Sequence, residues 1–116
     1  MSLALPDDRC PVLVGCGQIT QREPDPSAAL APLDLMALAA QRAAGDSGAG
    51  ARLLQSLDSI AVIRLFADTS PRFACPFGRY ANPPLSLARR IGASQARQLV
   101  YTQPGGKQPY HGDAVE

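Results

Sequence analysis

Three short apolar runs alternate with two helical segments along this 116-residue chain, and that order is its most constraining feature. The runs lie at residues 11–20, 58–66 and 98–102, and the helical segments at 32–48 and 82–93. The first two runs are rich in Val, Ile and Leu with little alternation, which is typical of strands buried in a parallel sheet. The order β-α-β-α-β therefore predicts an α/β fold, a three-layer unit built on a parallel sheet.

The first apolar run is expected to be a buried strand. Val12, Leu13 and Val14 are consecutive, and Gly15 and Gly17 end the run. A continuous apolar run bounded by glycines is consistent with a strand that is covered on both faces. We therefore expect the sheet to begin with this segment.

Local signals predict where both helices begin and end. Pro32 fits the first turn of a helix, where its missing N–H would have no intrahelical partner. Asn82 is a favourable N-cap for the second helix, and Gly92 is a natural end for it. Gly45 and Gly48 are alternative ends for the first helix.

An irregular loop is expected at residues 67–81, between the second strand and the second helix. Long connections without secondary structure are uncommon in compact domains. When they occur, they usually bind a ligand or cover an edge of the fold. This loop is therefore predicted to have a role.

Composition argues against several classes of function. The net charge is +1, so there is no electrostatic footprint for nucleic acid or an anionic membrane. The sequence has an odd number of cysteines, with no C-x-x-C motif and no histidine cluster: Cys10, Cys16 and Cys75. Neither a disulfide framework nor a metal site is predicted. The N-terminus lacks a signal-peptide pattern and no apolar run has membrane-spanning length, so we expect a cytoplasmic protein.

Two glycine-rich stretches resemble nucleotide-binding motifs but depart from them. The segment VGCGQIT places Thr20 at the third glycine of a dinucleotide fingerprint, and no helix is predicted directly after it. In the segment PGGKQ, Tyr101 stands at the first glycine of a P-loop and Gln108 replaces the hydroxyl residue that binds magnesium. Strand ends that turn explain both stretches better than nucleotide binding does.

A cysteine nucleophile is a further hypothesis, with Cys16 or Cys75 as the thiol and His111 as its base. Catalytic thiols need a lowered pKa, which a helix N-terminus or a nearby imidazole provides. Cys16 ends a predicted strand, and Cys75 lies in a loop beside Pro76. The alternative is that both thiols are inert and that His111 is a solvated residue near a chain end.

The ordered segments also resemble a known family. PVLVGCGQITQR, PLDLMALAAQRAA, LLQSLDSIAVIRLF, NPPLSLARRIGA and LVYTQPGGKQP are similar to the N-terminal part of thiolase-fold proteins of the acetyl-CoA acetyltransferase type. The resemblance covers residues 10–109 of a single domain at 1–116 and leaves a tail at 110–116. It implies two similar halves, each a mixed sheet with helices, that enclose shared central helices in a dimer.

The resemblance also implies acyl transfer to and from coenzyme A, with the thioester as substrate and no further cofactor. The family's nucleophile is a cysteine at the start of the helix after the third strand, where the helix N-terminus lowers the thiol pKa. Here that position falls around Gly105, Gly106 and Lys107, which are the candidate substrate-loop residues, and no cysteine is present. Gly105, Gly106 and Pro109 match a branch that also lacks the cysteine, whereas Lys107 and Tyr110 depart from it.

Three hypotheses follow. The leading one is a thiolase-like acyltransferase portion that is inactive on its own, because the family's histidine and second cysteine belong to a C-terminal half. The alternative is a non-catalytic binding or dimerisation subunit, either a homodimer or paired with a thiolase-like chain, since exposed strand edges and apolar faces seek partners. The third is a small cysteine-dependent enzyme that uses Cys75 and His111.

Overall fold

The computed structural model describes residues 8–65, 68, 72, 76–102 and 110–113, the last range as backbone only. Its helices and strands are α1 (Pro32–Ser47), α2 (Ala51–Gln55), β1 (Ser59–Ile63), α3 (Pro83–Ile91), β2 (Gln98–Thr102) and β3 (Tyr110–Asp113). These elements place the chain in the α/β class. None of the helices in these ranges is long and apolar enough to cross a membrane.

The predicted helix ends are confirmed. Helix α1 begins at Pro32 and ends before Gly48. Gly48 has a left-handed φ of 86°, a conformation in which a residue with a side chain would be strained. The Asn82 side chain caps α3, because its Oδ1 accepts a hydrogen bond from the backbone N–H of Leu85 at 3.3 Å. Gly92, with φ of 77°, ends the same helix. Local signals, a proline in the first turn and a left-handed glycine at the end, therefore mark the ends of both helices.

The sheet contains a parallel pair and an antiparallel pair, in the order β1-β2-β3. Strand β2 matches the predicted 98–102 segment, and β1 pairs with it in parallel from Ser59–Gln98 to Ile63–Thr102. Strand β3 runs antiparallel to β2 and lies within the expected tail at 110–116. That tail therefore contributes a strand, which the sequence did not predict.

Helix α3 connects the sheet to the rest of the core. It packs on β1 and β2, while α1 packs on α2 and α3. The buried apolar side chains come from all of these elements: Leu33, Ala37, Ala44, Leu54, Ile60, Val62, Leu87, Ala88, Ile91, Ala93, Ala96 and Leu99. At the surface, Arg90 of α3 pairs with Asp34 of α1 (Nε–Oδ1 3.1 Å) and lies 5.5 Å from the centre of the Tyr80 ring.

The prediction that residues 11–20 form a buried strand is wrong. This segment pairs with no strand among the described residues, and Val12, Leu13 and Val14 are exposed. The chain here lies against α1, where the Cys16 N–H donates to the Asp46 carboxylate at 3.0 Å. A strand needs a neighbouring strand to satisfy its backbone, and this segment contacts a helix instead.

The expectation of helices covering both faces of the sheet is also wrong for the described residues. Burial along β1 alternates, with Ile60 and Val62 buried and Ile63 68% exposed. Because α3 covers the face that carries Ile60 and Val62, the helices stack on one side of the sheet. The apolar composition of β1 hid this alternation, since Ala61 and Ile63 are apolar but exposed.

Candidate functional site

A pocket of about 370 Å³ lies where β1 and β2 end. Its lining residues come from both strand ends and from the connection before α3: Arg64, Asp68, Arg79, Tyr80, Ala81, Pro83 and Tyr101. In α/β sheets, ligands bind outside the carboxyl ends of parallel strands. Position and polar lining together make this pocket the candidate site.

The parallel register of the two strands brings the pocket residues together. Tyr101 lies opposite Val62, so Tyr101 and Arg64 both sit at the carboxyl edge of the sheet. The Arg64 N–H donates to the Thr102 carbonyl at 2.7 Å and extends the ladder by one bond beyond β1. The paired backbone therefore fixes the Cα positions of Arg64 and Tyr101 at the edge of the pocket.

The Tyr101 hydroxyl is the central hydrogen-bonding group of the pocket. It donates to Asp68 Oδ2 at 2.5 Å and accepts from the Leu65 N–H at 2.8 Å. Burial raises the pKa of Tyr101 to about 12, and the hydrogen bond to the Asp68 carboxylate adds to the shift. Tyr101 is thus a neutral donor with fixed partners, and it is poorly suited to act as a base.

Two arginines approach the same aspartate. Arg79 Nε lies 3.4 Å from Asp68 Oδ1, and Arg64 Nη2 donates to the Asp68 backbone carbonyl at 2.6 Å. The Asp68 side chain is 12% exposed, whereas that of Arg79 is 65% exposed. Arg79 therefore pairs with the carboxylate while Arg64 binds the backbone carbonyl, and two guanidinium charges beside one carboxylate leave this cluster with a net positive charge.

The chemistry that this arrangement supports is anion recognition. Each guanidinium carries five N–H donors in a planar fork. The contacts among the described residues use one N–H of Arg64 and one N–H of Arg79, so the remaining donors can reach a ligand. Such forks match phosphate and carboxylate groups. No cysteine, serine or histidine is among the described lining residues, so this part of the pocket has the groups of a binding site and no thiol, serine hydroxyl or imidazole.

Asn82 adds a buried polar group beside the pocket. It is 4% exposed and lies between the lining residues Ala81 and Pro83. Its Oδ1 caps α3, but its Nδ2 has no hydrogen-bond partner among the described residues. Unsatisfied buried donors are rare and cost free energy of folding, so the unpaired Nδ2 offsets part of the stability that the cap contributes.

A second concavity, of about 430 Å³, lies at the other end of α3, with Ala88, Ala93 and Ala96 among its walls. It is larger and mostly apolar, and Arg89 is the charged residue on its described rim. Ligand sites combine an apolar wall with several convergent polar groups. The pocket at Tyr101 has that combination, so we take it as the better candidate.

The residues singled out from the sequence have different outcomes. Gly105, Gly106 and Lys107 lie outside the described residues, as does Cys75. Cys16 is an exposed free thiol beside α1, whereas the backbone of His111 in β3 pairs with Val100. The described contacts therefore give no support to a pair of Cys16 and His111. The part of the chain that the structure describes also contains no group of three or more potential metal ligands.

The sequence analysis did not identify the pocket residues as a binding site. Arg64 and Tyr101 follow or end predicted strands, while Asp68 and Arg79 belong to the loop expected at 67–81. The sequence did contain one signal for this pocket: a long loop follows one of the parallel strands, and polar residues end both strands.

Comparisons with protein-family models, with curated proteins and with solved structures found no match.

Proposed function

We propose that this chain is a thiolase-like unit that binds an acyl-CoA thioester and does not carry out thiolase turnover by itself. The observation that carries this proposal is the convergence of Arg64 and Arg79 on a pocket at the carboxyl edge of β1 and β2. The choice of coenzyme A comes from the resemblance of the ordered segments to thiolase-fold proteins. The pocket supplies the cationic groups that such a ligand requires.

Coenzyme A presents phosphate groups, which are the strongest anions along the molecule. Arginine recognises phosphate through paired N–H donors and keeps its charge at all physiological pH values. Arg79 is mostly exposed, so it can pair with a phosphate at the pocket mouth without first losing a buried position. Arg64 is half-buried and already fixed by the Asp68 carbonyl, so it supplies a preorganised donor deeper in the pocket.

The absence of turnover follows from residue types in the sequence. No cysteine occurs at Gly105, Gly106 or Lys107, where the family's nucleophile would fall. The described lining of the pocket also contains no nucleophilic thiol. Acyl transfer through a covalent thioester intermediate therefore has no attacking group in this region of the chain.

The test is titration calorimetry of the purified chain with acetyl-CoA at low ionic strength. Arg79→Ala and Arg64→Ala are each expected to weaken binding by about tenfold or more, because each removes a charge-assisted contact of about 1.5–3 kcal/mol. Arg52→Ala is the matched control, since Arg52 is exposed on α2 and does not line the pocket. Equal loss of affinity in all three variants, or no binding by the unaltered chain, would contradict the proposal.

Turnover is measured separately, with acetoacetyl-CoA and coenzyme A as substrates. The enolate absorbance of acetoacetyl-CoA is expected to stay constant with the purified chain. Sustained loss of that absorbance, in proportion to the amount of protein, would refute the proposed lack of catalysis.

A second candidate function is a non-catalytic association unit, as a homodimer or with a thiolase-like partner chain. The observation that favours it is the uncovered face of the sheet, where Ile63 is 68% exposed on the edge strand β1. Exposed apolar edges are sites of association. Light scattering coupled to size-exclusion chromatography tests this function, and a stable monomer at every concentration would contradict it.

A further inference from the structure

We propose that residues 11–14 of one copy of this chain add as a strand, in a second copy, to the edge of β1 that has no partner strand among the described residues. This inference rests on the association function proposed above and names both the surface and its occupant. It concerns residues that take no part in the arginine pocket. The two surfaces that meet are called here the 11–14 segment and the β1 edge.

The 11–14 segment has the properties of a strand without a partner. Val12, Leu13 and Val14 are β-prone or strongly apolar, and Leu13 is 85% exposed. Among the described residues, the backbone of these three makes no hydrogen bond. Pro11 stands first, where a strand tolerates a missing N–H. A solvent-exposed Val-Leu-Val sequence of this kind gains both hydrogen bonds and burial when it pairs.

The β1 edge offers the complementary backbone. The Asp58 carbonyl accepts from the Arg97 and Gln98 N–H groups of the β2 side, and the Arg64 N–H donates to Thr102. Even-numbered positions of β1 therefore point their backbone groups toward β2. In a parallel ladder the intervening positions point the opposite way, so Ser59, Ala61 and Ile63 present theirs to the free edge. No proline, charged residue or bulge protects β1.

Two glycines hold the chain against its own α1, and this contact favours a second copy as the source of the strand. A Cβ on Gly15 would lie 2.4 Å from the Ala43 carbonyl oxygen, and one on Gly17 would lie 2.5 Å from that of Ala39. The chain is thus held in close contact with α1 immediately after the 11–14 segment. Helix α1 packs on α2 and α3, whereas α3 is the helix that packs on the strands, so the anchor lies on a helix next to α3 and not on the sheet.

Pairing within one chain would have to bring a segment whose end is fixed on α1 to about 4.8 Å from β1, the spacing of paired strands. Pairing with a second copy leaves those contacts in place. A two-fold arrangement then lets each copy donate its 11–14 segment and accept that of its partner, so one symmetric contact forms two new strand pairs. Neither the segment nor β1 carries a charge, so no repulsion opposes their approach.

Cysteine cross-linking tests the pairing directly, because the native Cys10 and Cys16 flank the segment and are exposed. In a Cys75→Ser background, Ser59→Cys at the β1 edge is expected to form an intermolecular disulfide with Cys10 in a parallel pair or with Cys16 in an antiparallel pair. Non-reducing gels and peptide mass spectrometry identify the bond. Ser94→Cys, exposed in the turn after α3, is the matched control and is expected to remain uncross-linked.

A second variant keeps the two proposals distinguishable. Leu13→Lys places a charge in the segment and is expected to weaken the dimer by tenfold or more in light scattering, whereas Leu30→Lys, at another exposed leucine, is expected to have no such effect. A dimer that tolerates Leu13→Lys and gives no Ser59→Cys cross-link would overturn strand addition and leave association intact. A strictly monomeric chain would overturn both. Circular dichroism checks that each variant keeps its helices.

Discussion

The hydroxyl of Tyr101 provides the sharpest test of the pocket geometry. Tyr101→Phe removes one oxygen and keeps the ring, so it deletes the bonds to Asp68 Oδ2 and to the Leu65 N–H. A bond to a charged group contributes about 1.5–3 kcal/mol and a neutral one about 0.5–1.5 kcal/mol. Because Tyr101 is only half-buried, values near the lower end of each range apply, and we expect a loss of about 2 kcal/mol in unfolding free energy.

Urea unfolding followed by far-ultraviolet circular dichroism measures this loss. With a slope of about 1–3 kcal/mol/M, the midpoint should fall by about 1 M while the slope stays unchanged. Tyr80→Phe is the matched control, because Tyr80 also lines the pocket but its hydroxyl has no hydrogen bond among the described residues, and its ring contact with Arg90 survives. If the two variants lose the same stability, the proposed role of the Tyr101 hydroxyl is refuted.

Three further predictions concern the pH dependence of the Tyr101 contribution, the cap of α3 and the contact of Gly15 with α1. Because the pKa of Tyr101 is raised to about 12 from an ordinary value near 10, its contribution to stability should be complete below pH of about 10 and lost as pH rises to about 12. Urea midpoints across that window should fall in the unaltered chain and fall less in Tyr101→Phe. Asn82→Ala removes the cap of α3 and should cost about 1 kcal/mol by the same assay. Gly15→Ala forces a Cβ against the Ala43 carbonyl and should cost about 1–3 kcal/mol, whereas Gly45→Ala has open space in α1 and should be neutral or stabilising.

Each of these has a clear contrary result. A pH profile identical in the unaltered chain and in Tyr101→Phe would show that another group titrates in this window. An unchanged midpoint for Asn82→Ala would mean that the cap contributes nothing beyond the cost of the unpaired Nδ2. Equal behaviour of Gly15→Ala and Gly45→Ala would contradict the close approach of the chain to α1.

The parts of the fold that the sequence predicted are those with local causes. Pro32, Asn82 and Gly92 act through the backbone within one or two turns, so α1 and α3 were found with nearly correct ends. The β2 segment was also correct, because its apolar residues are bounded by polar ones. Parallel pairing of β1 and β2 followed from the helix between them.

The parts that failed depend on distant neighbours. A Val-Leu-Val run favours a strand, yet whether it pairs depends on an available edge, and in this structure the run is exposed and the glycines after it lie against α1. The candidate pocket is equally non-local, because Arg64, Asp68 and Tyr101 come from separate segments. Only the strand register shows that Tyr101 reaches the residues after β1. No single short motif encodes that meeting.

The central position of α3 has a consequence for how the molecule opens. Of the helices described, α3 is the one that packs on both β1 and β2 as well as on α1. The amide protons that are hydrogen-bonded between β1 and β2 should therefore exchange with solvent only when α3 detaches. Those in the N-terminal turns of α1 can exchange through smaller fluctuations that leave the sheet intact. Hydrogen exchange should accordingly divide the molecule into an outer helical unit and an inner unit of α3 with the sheet, and a destabilised α3 would merge the two.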